Sequence, residues 1–427
     1  METPKNSADG TAFVTIAFVK TATILLLALF GASTLRARDL AIVGATIYAR
    51  PFAAPIQNAV VVIHDGKIAA VGRRSTTRIP ARAQVIAASG KFVTAGFWNS
   101  HVHIFSPPLL HVRDTRTADL NAALDAMFNR WGFTSVFDLA SVLDNTIVLR
   151  QRIGRGEVRG PRILTVGEPL WTEVPVYVLR YIEENHIAMP VVRTPADARK
   201  RVRDHARRGV NGIKLFTGSL QEHGAVANMP LGVVVTAVRE AHRRHLPVFT
   251  HPQNAAGVEV AIRGGVDILA HTAPDSPDWT RNFVARLKSA HIALIPTLTL
   301  FDFEARKENA SEENRDRLIR KVVGELRAFA VNGGEVLFGT DVGYIDHYDT
   351  TLEFELMSQA GLSFQDILAT LTTNPAKRFG FASRSGRVQA GFDADLVVLD
   401  ADPAIDSRNL SKVRYTIRRG RISYAAK

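Results

Sequence analysis

His101-Val102-His103 closes an apolar run, Phe97-Trp98-Asn99-Ser100, and Lys214, His251, His271 and Asp341 each end or follow a later apolar run. Two imidazoles at i and i+2 of a strand point to the same side. Neutral imidazole and carboxylate suit zinc and similar divalent ions. The order His-x-His, Lys, His, His, Asp therefore reads as a metal-ligand series. Ligands at the ends of different strands describe a closed barrel with a metal site at its mouth.

The elements that must position these residues are legible as periodicity. Eight apolar runs lie at 97–101, 134–138, 162–166, 212–216, 246–251, 266–270, 292–296 and 336–341, with helical patterns such as 231–242 and 254–261 between several of them. Alternating β and α units predict a parallel sheet. Their number fits a (β/α)8 TIM barrel over residues 95–385, with every candidate ligand on the carboxyl face where barrel active sites form. An open doubly wound sheet is the competing architecture, but no Gly-rich dinucleotide loop follows the first run. Residues 38–94 and 386–427 alternate in a β manner, with an Asp65-Gly66 turn after Val60-Val61-Val62-Ile63. Both flanks are too short to stand alone. They are expected to form one small β-sandwich from the two chain ends.

Bulk properties narrow the classes further. The chain has 427 residues, 46% of them hydrophobic and 22% charged, enough for a large core. The formal net charge of +12 raises the question of nucleic acid. The basic residues are dispersed, and the densest run, Arg199 to Arg208, carries Ala198, Val202 and Ala206 at helical spacing. That run reads as the wet face of a helix, so no nucleic-acid partner is expected. There is no cysteine, which excludes disulfides, thiolate ligands and a Cys nucleophile. Lys20 precedes an apolar stretch at 21–30, followed by Gly31, Ala32, Ser33 and Ala37. That order predicts a secretory signal over residues 1–37 and a secreted or periplasmic protein. The stretch is short for a membrane span, which needs about 20 apolar residues; an uncleaved anchor is the alternative.

The ligand series, the flanking strands and the closing segment Gly391-Phe392-Asp393-Ala394-Asp395-Leu396-Val397-Val398-Leu399 resemble the amidohydrolase superfamily over nearly the whole chain. The resemblance is strongest to its imidazolonepropionase- and prolidase-like group. It implies that His101, His103 and Asp341 hold one divalent ion, zinc by the donor set, and that His251 and His271 hold a second. It also implies that Lys214 reacts with carbon dioxide and bridges the two as a carbamate. The chemistry of Lys214 agrees. An ammonium beside two cations is strongly repelled, and desolvation lowers its pKa, leaving a free amine to be carboxylated. The bland alternative is a lysine paired with a barrel carboxylate. The chain departs from the family in having Ala95-Gly96 where Pro-Gly is common and Asn99 where Asp is common. Neither position is a ligand.

The resemblance implies metal-assisted hydrolysis of an amide or peptide C–N bond in a small substrate, a dipeptide or N-acyl amino acid, with Asp341 as general base and acid. A lactone, cyclic amide or phosphoester would suit the same site, and a homo-oligomer is compatible with it. A mononuclear deaminase is disfavoured by Lys214. A scaffold that kept the barrel is disfavoured because all six ligand positions are filled. Outside the series, Tyr344, His223, His347 and Tyr177 fall in loops that should rim the mouth and contact substrate, and Glu173 lies near Tyr177 in the same long segment. His64, His205, His242, His245 and His291 are expected to be structural, several on the opposite end of the barrel.

Overall fold

Runs of β-branched residues build the flanking sheet. In the computed structural model, which describes residues 39–187, 189 and 191–427, Leu40–Ile47 and Ile56–His64 pair antiparallel from Leu40↔Ile63 to Ile47↔Ile56. The expected leader at 1–37 lies outside the described residues. Leu40–Ile47 also pairs in parallel with Gln84–Ala87 along its first half and with Phe92–Ala95 at its end. Leu396–Leu399 then joins Phe92–Ala95, and Val413–Arg418 and Arg421–Ala425 extend the sheet. The two chain ends thus share one eight-stranded sheet. Alternate residues explain its two faces. Ile42, Val61, Val93, Leu396 and Val398 meet in one apolar cluster. Val397 and Leu399, one register position away, pack into the main core instead.

The chain between these flanks is α/β and TIM-barrel-like. Phe97–Val102, Phe133–Asp138 and Arg162–Thr165 form one parallel sheet; Ile213–Phe216, Val248–His251, Ile268–Ala270 and Ala293–Ile295 form another. Helices including Leu143–Gly154, Leu231–His242 and Ala255–Gly264 connect successive strands. Backbone bonds join the sheets on both sides. Leu170 N donates to Lys214 O (2.8 Å) and Phe216 N to Leu170 O (2.9 Å). On the other side, Leu337 N donates to Leu294 O (2.9 Å) and Ser100 N to Phe338 O (2.7 Å). Trp98, Phe137, Phe249, Ile268 and Leu337 converge in a buried layer between the strands.

The run at 336–341 is not a regular strand. Its one bridge is at Val336, and the next, at Val342, falls just beyond it. A Cβ at Gly339 would stand 2.3 Å from Ile295 Cγ2 and 2.9 Å from His101 Cβ, so the segment passes too close to its neighbours for a side chain there. Asp341 then turns to φ 64°, outside extended geometry.

Buried carboxylates fix the loops that leave the strands. Glu353 accepts from Leu298 N (2.9 Å), Thr299 N (2.7 Å) and Thr299 Oγ1 (2.8 Å) at the start of helix Leu298–Lys307. Burial raises its pKa to about 7, against the hydrogen bonds from Thr299 and Leu298. Replacing Glu353 by Ala leaves two buried N–H groups without partners and is expected to cost about 2–4 kcal/mol. Glu353→Gln keeps one of the two accepting oxygens and turns the other into a donor, so it should cost less than Ala while still leaving one N–H unpaired. Urea midpoints at constant m-value check both.

Candidate active site

Strand ends bring the six series residues to one buried floor. His101 is fully buried, and Lys214, His271 and Asp341 are no more than 4% exposed. His101 Nε2 and His103 Nε2 lie 3.1 and 2.7 Å from the same oxygen, Asp341 Oδ1. The ring centroid of His271 is 4.6 Å from that of His101 and 4.7 Å from that of His251. Ligand atoms of His101, His271 and Asp341 all fall within 4.8 Å of one another. His271 and Asp341 both hold positive φ, 126° and 64°, a backbone strain that concentrates at functional sites.

Neighbouring groups orient the imidazoles. His103 Nδ1 faces Ala140 O at 3.3 Å, leaving Nε2 toward Asp341. His271 Nδ1 faces Thr297 Oγ1 at 2.7 Å, and His251 Nε2 faces Gln253 Oε1 at 3.0 Å. Each leaves one ring nitrogen free to ligate, the arrangement that outer partners impose on metal-binding histidines. Asn99 is a staple: its Nδ2 donates to Thr340 Oγ1 (2.7 Å), and its Oδ1 accepts from His101 N (3.2 Å). The chain folds back tightly after Asp341, for a Cβ at Gly343 would lie 2.0 Å from His103 O. Buried Asp138 accepts from Ser141, Thr165 and Ile104 N, and Glu325 accepts from Ala273 N at 2.9 Å. Sequence reading missed both carboxylates. Their only signal was a charge at a strand end (Asp138) or on a buried helix face (Glu325).

Burial sets the charge states. It lowers His101 to about 3, against the opposing pull of Asp341. It lowers His251 to about 4, with Lys214 adding to the effect. Burial, then His101, holds His271 well below the usual range. Burial works against charge on Asp341, but His101 and His103 outweigh it and keep the carboxyl well below its ordinary value. Lys214 falls to about 7 through burial, with Asp341 pulling the other way. No carboxylate pairs with Lys214 among the described residues, so the paired-lysine alternative is not what the structure contains. The neutral imidazoles of His101, His251 and His271, an ionised Asp341 and a depressed amine are the forms that hold metal.

The residues fit a divalent ion. His101 Nδ1 is buried without a hydrogen-bond partner, and Asp341 Oδ1, though close to His101 Nε2 and His103 Nε2, is in hydrogen-bond geometry with neither. Such orphaned atoms are costly, and a cation between them supplies what they lack.

A cavity of about 420 Å³ opens above this floor and is lined by all six residues together with Tyr177 and Tyr344. Tyr177 makes no hydrogen bond among the described residues; burial, then the charges of Asp341 and Glu304, raises its phenol far above the usual range. The Tyr344 hydroxyl is committed: it donates to Glu304 Oε1 (2.9 Å) and accepts from Lys307 Nζ (3.2 Å). His223 and His347 are exposed and do not line the cavity. Their loops carry them to solvent. Glu173 also stays outside, paired with Arg193 at 3.1 Å. The seven remaining histidines do not line the cavity; His242, for example, binds Asp267 at 2.8 Å and His205 faces Glu168 O at 2.8 Å.

The model of the amidohydrolase family matches residues 92–423. In sequence the chain is similar to the dihydroorotases of Streptococcus pneumoniae (23% identity over 417 residues, 86% of this chain and 95% of that protein) and Pelotomaculum thermopropionicum (26% over 420 residues, 87% and 92%). In structure it is similar to a prolidase candidate from Bifidobacterium longum, with 26% identity, TM-score 0.76 and coverage of 90% of this chain and 94% of the other. A Xaa-Pro dipeptidase with methionine bound in its active site gives 21% identity, TM-score 0.77 and coverage of 91% and 100%. The chain belongs to the amidohydrolase family. It is a hydrolase acting on carbon–nitrogen bonds, in a family that generally uses divalent metal ions.

Stripping the protein with a chelator and titrating zinc back should raise its thermal midpoint. The gain is about 2.7 kcal/mol at one hundred times Kd. His101→Ala should abolish most of that rise, and an unchanged midpoint in the parent protein would contradict the fit.

Proposed function

We propose that this chain is a metal-dependent hydrolase that cleaves an amide or peptide C–N bond of a small substrate. The observation that carries this reading is the convergence of four imidazoles, Lys214 and Asp341 on one buried cavity floor. His101, His103 and Asp341 would hold one ion and His251 and His271 a second. Lys214, its amine carboxylated by carbon dioxide, would bridge them. When bound, two divalent ions such as zinc supply Lewis acidity and acidify water at neutral pH.

The chain's own groups do the rest. Asp341 takes a proton from the attacking water and delivers it to the leaving nitrogen. Its carboxylate is placed for this, since burial and two imidazoles fix it at the floor. The Tyr177 hydroxyl is the free donor beside Asp341 and hydrogen-bonds the substrate carbonyl as charge builds on its oxygen. The names of the prolidase-like structures favour a dipeptide or N-acyl amino acid, whereas the six side chains support the bond alone. The dihydroorotase likeness favours a cyclic amide as the second reading.

The architecture proposed with this function is a closed (β/α)8 barrel at 95–385 and a β-sandwich module at 38–94 and 386–427. Export, with loss of residues 1–37, completes the reading and rests on the basic, apolar and small residues at 20–37.

Asp341→Asn is expected to keep the fold while amide turnover falls by roughly 10²–10⁴. Circular dichroism and kcat on the same preparation check this, and retained turnover would remove Asp341 from proton transfer.

A further inference from the structure

The walls of the cavity differ in kind from its floor. Phe105, Ile182, Leu300, Phe301 and Leu318 line it. The ring of Phe105 lies 5.2 Å from that of His103 and 5.1 Å from that of Tyr181, so an aromatic wall rises directly from the floor. The Tyr181 hydroxyl donates to Phe105 O at 2.7 Å, which turns its polar atom into the protein and leaves its ring facing the cavity. Helix Val176–Glu184 buries no residue in the core. Its Tyr177, Val178, Tyr181 and Ile182 side chains all line the cavity instead.

The charges on these walls have one sign. Asp275, Glu304 and Glu308 line the cavity, and the single lysine or arginine among the lining residues is Lys214 on the floor. Lys307, near the rim, is held 3.2 Å from Glu304 Oε1 and 3.2 Å from Tyr344 Oη. Of the groups that sequence suggested for substrate contact, His223 and His347 face solvent and the Tyr344 hydroxyl serves Glu304, which leaves the uncharged Tyr177 phenol alone in the cavity. A carboxylate at the far end of a substrate, against the walls and away from the ions of the floor, would lose water without gaining a cationic partner and would meet like charge. A volume of about 420 Å³ suits a drug-sized ligand.

We propose that the cavity selects an uncharged amide bearing an aromatic or branched aliphatic arm, and rejects substrates with a free carboxylate. This rests on the C–N hydrolase reading for the bond and on the walls alone for the charge. Dipeptides and N-acyl amino acids, which end in a carboxylate, are then poor substrates. The apolar side of helix Val176–Glu184 closes over the arm, and the acidic residues on the walls exclude anions.

Two 4-nitroanilides test it, those of 4-(4-methylphenyl)butanoic acid and 4-(4-carboxyphenyl)butanoic acid. They share scissile bond and leaving group and differ in charge at the far end. With the full-length zinc-loaded protein, kcat/KM for the methyl compound should exceed that for the carboxylate by roughly thirtyfold or more. The double variant Glu304→Gln, Glu308→Gln should narrow the gap by raising turnover of the carboxylate compound. Equal or faster cleavage of the carboxylate compound in the parent protein overturns the proposal. So does cleavage of an Xaa-Pro dipeptide with both anilides inert, an outcome that keeps the C–N reading. If no amide is cleaved, that reading falls and calorimetric binding of the two compounds decides the charge selection. Tighter binding of the methyl compound upholds it; equal binding, tighter binding of the carboxylate, or no binding of either overturns it.

Discussion

One carboxylate answers for the charge of the whole floor. Asp341 Oδ1 lies 3.1 and 2.7 Å from two imidazole nitrogens, in a pocket shared with two further imidazoles and a lysine that pairs with no carboxylate among the described residues. Such a concentration of basic groups away from water is stable only if most of them are neutral. Burial enforces that, lowering His101, His251, His271 and Lys214 together. The same burial that makes the groups neutral makes them ligands. The orphaned atoms of His101 and Asp341 mark where a cation relieves the remaining cost.

The surrounding fold serves this constraint. Parallel strands deliver side chains to one end, but delivery alone does not fix a ring. Thr297 and Gln253 each occupy one nitrogen of a floor imidazole. Asn99 ties the first strand to Thr340, one residue before Asp341. Glu325 and Glu353 hold the loops that follow His271 and Thr297 through buried backbone donors. At the far end, Arg162 reaches Asp393 (3.0 Å) and lies over the Phe381 ring, linking the parallel sheet to the segment where the chain returns to the flanking sheet. The hydrogen-bonded imidazoles of the floor and the apolar contacts of the walls are thus built from different residues.

Much of this was legible in the sequence. Apolar runs ending in His, Lys or Asp gave both the strands and the floor, because strand position and chemistry coincide there. The pairing of both chain ends was legible from alternation. Three things were not. The segment at 336–341 reads as a strand, yet the close pass at Gly339 and the positive φ of Asp341 break it. Four loop residues read alike as substrate contacts; in three dimensions the Tyr344 hydroxyl is taken by Glu304, and Tyr177 keeps its hydroxyl free among the described residues. His223 and His347 face solvent, since a loop's course depends on packing that one sequence does not display. The buried carboxylates Glu325 and Glu353 act through backbone N–H groups, which leave no pattern in residue types, and Asp138 adds to one such group the hydroxyls of Ser141 and Thr165, distant in sequence or too common to signal.

The central claim is that the six floor residues form a two-ion centre bridged by Lys214. Anomalous diffraction at the zinc edge from crystals of the zinc-loaded protein tests it most directly. Two peaks are expected, one against His101, His103 and Asp341 and one against His251 and His271, with continuous density from Lys214 Nζ to both. A single peak beside an unmodified Lys214, or no peak on the floor, would contradict it.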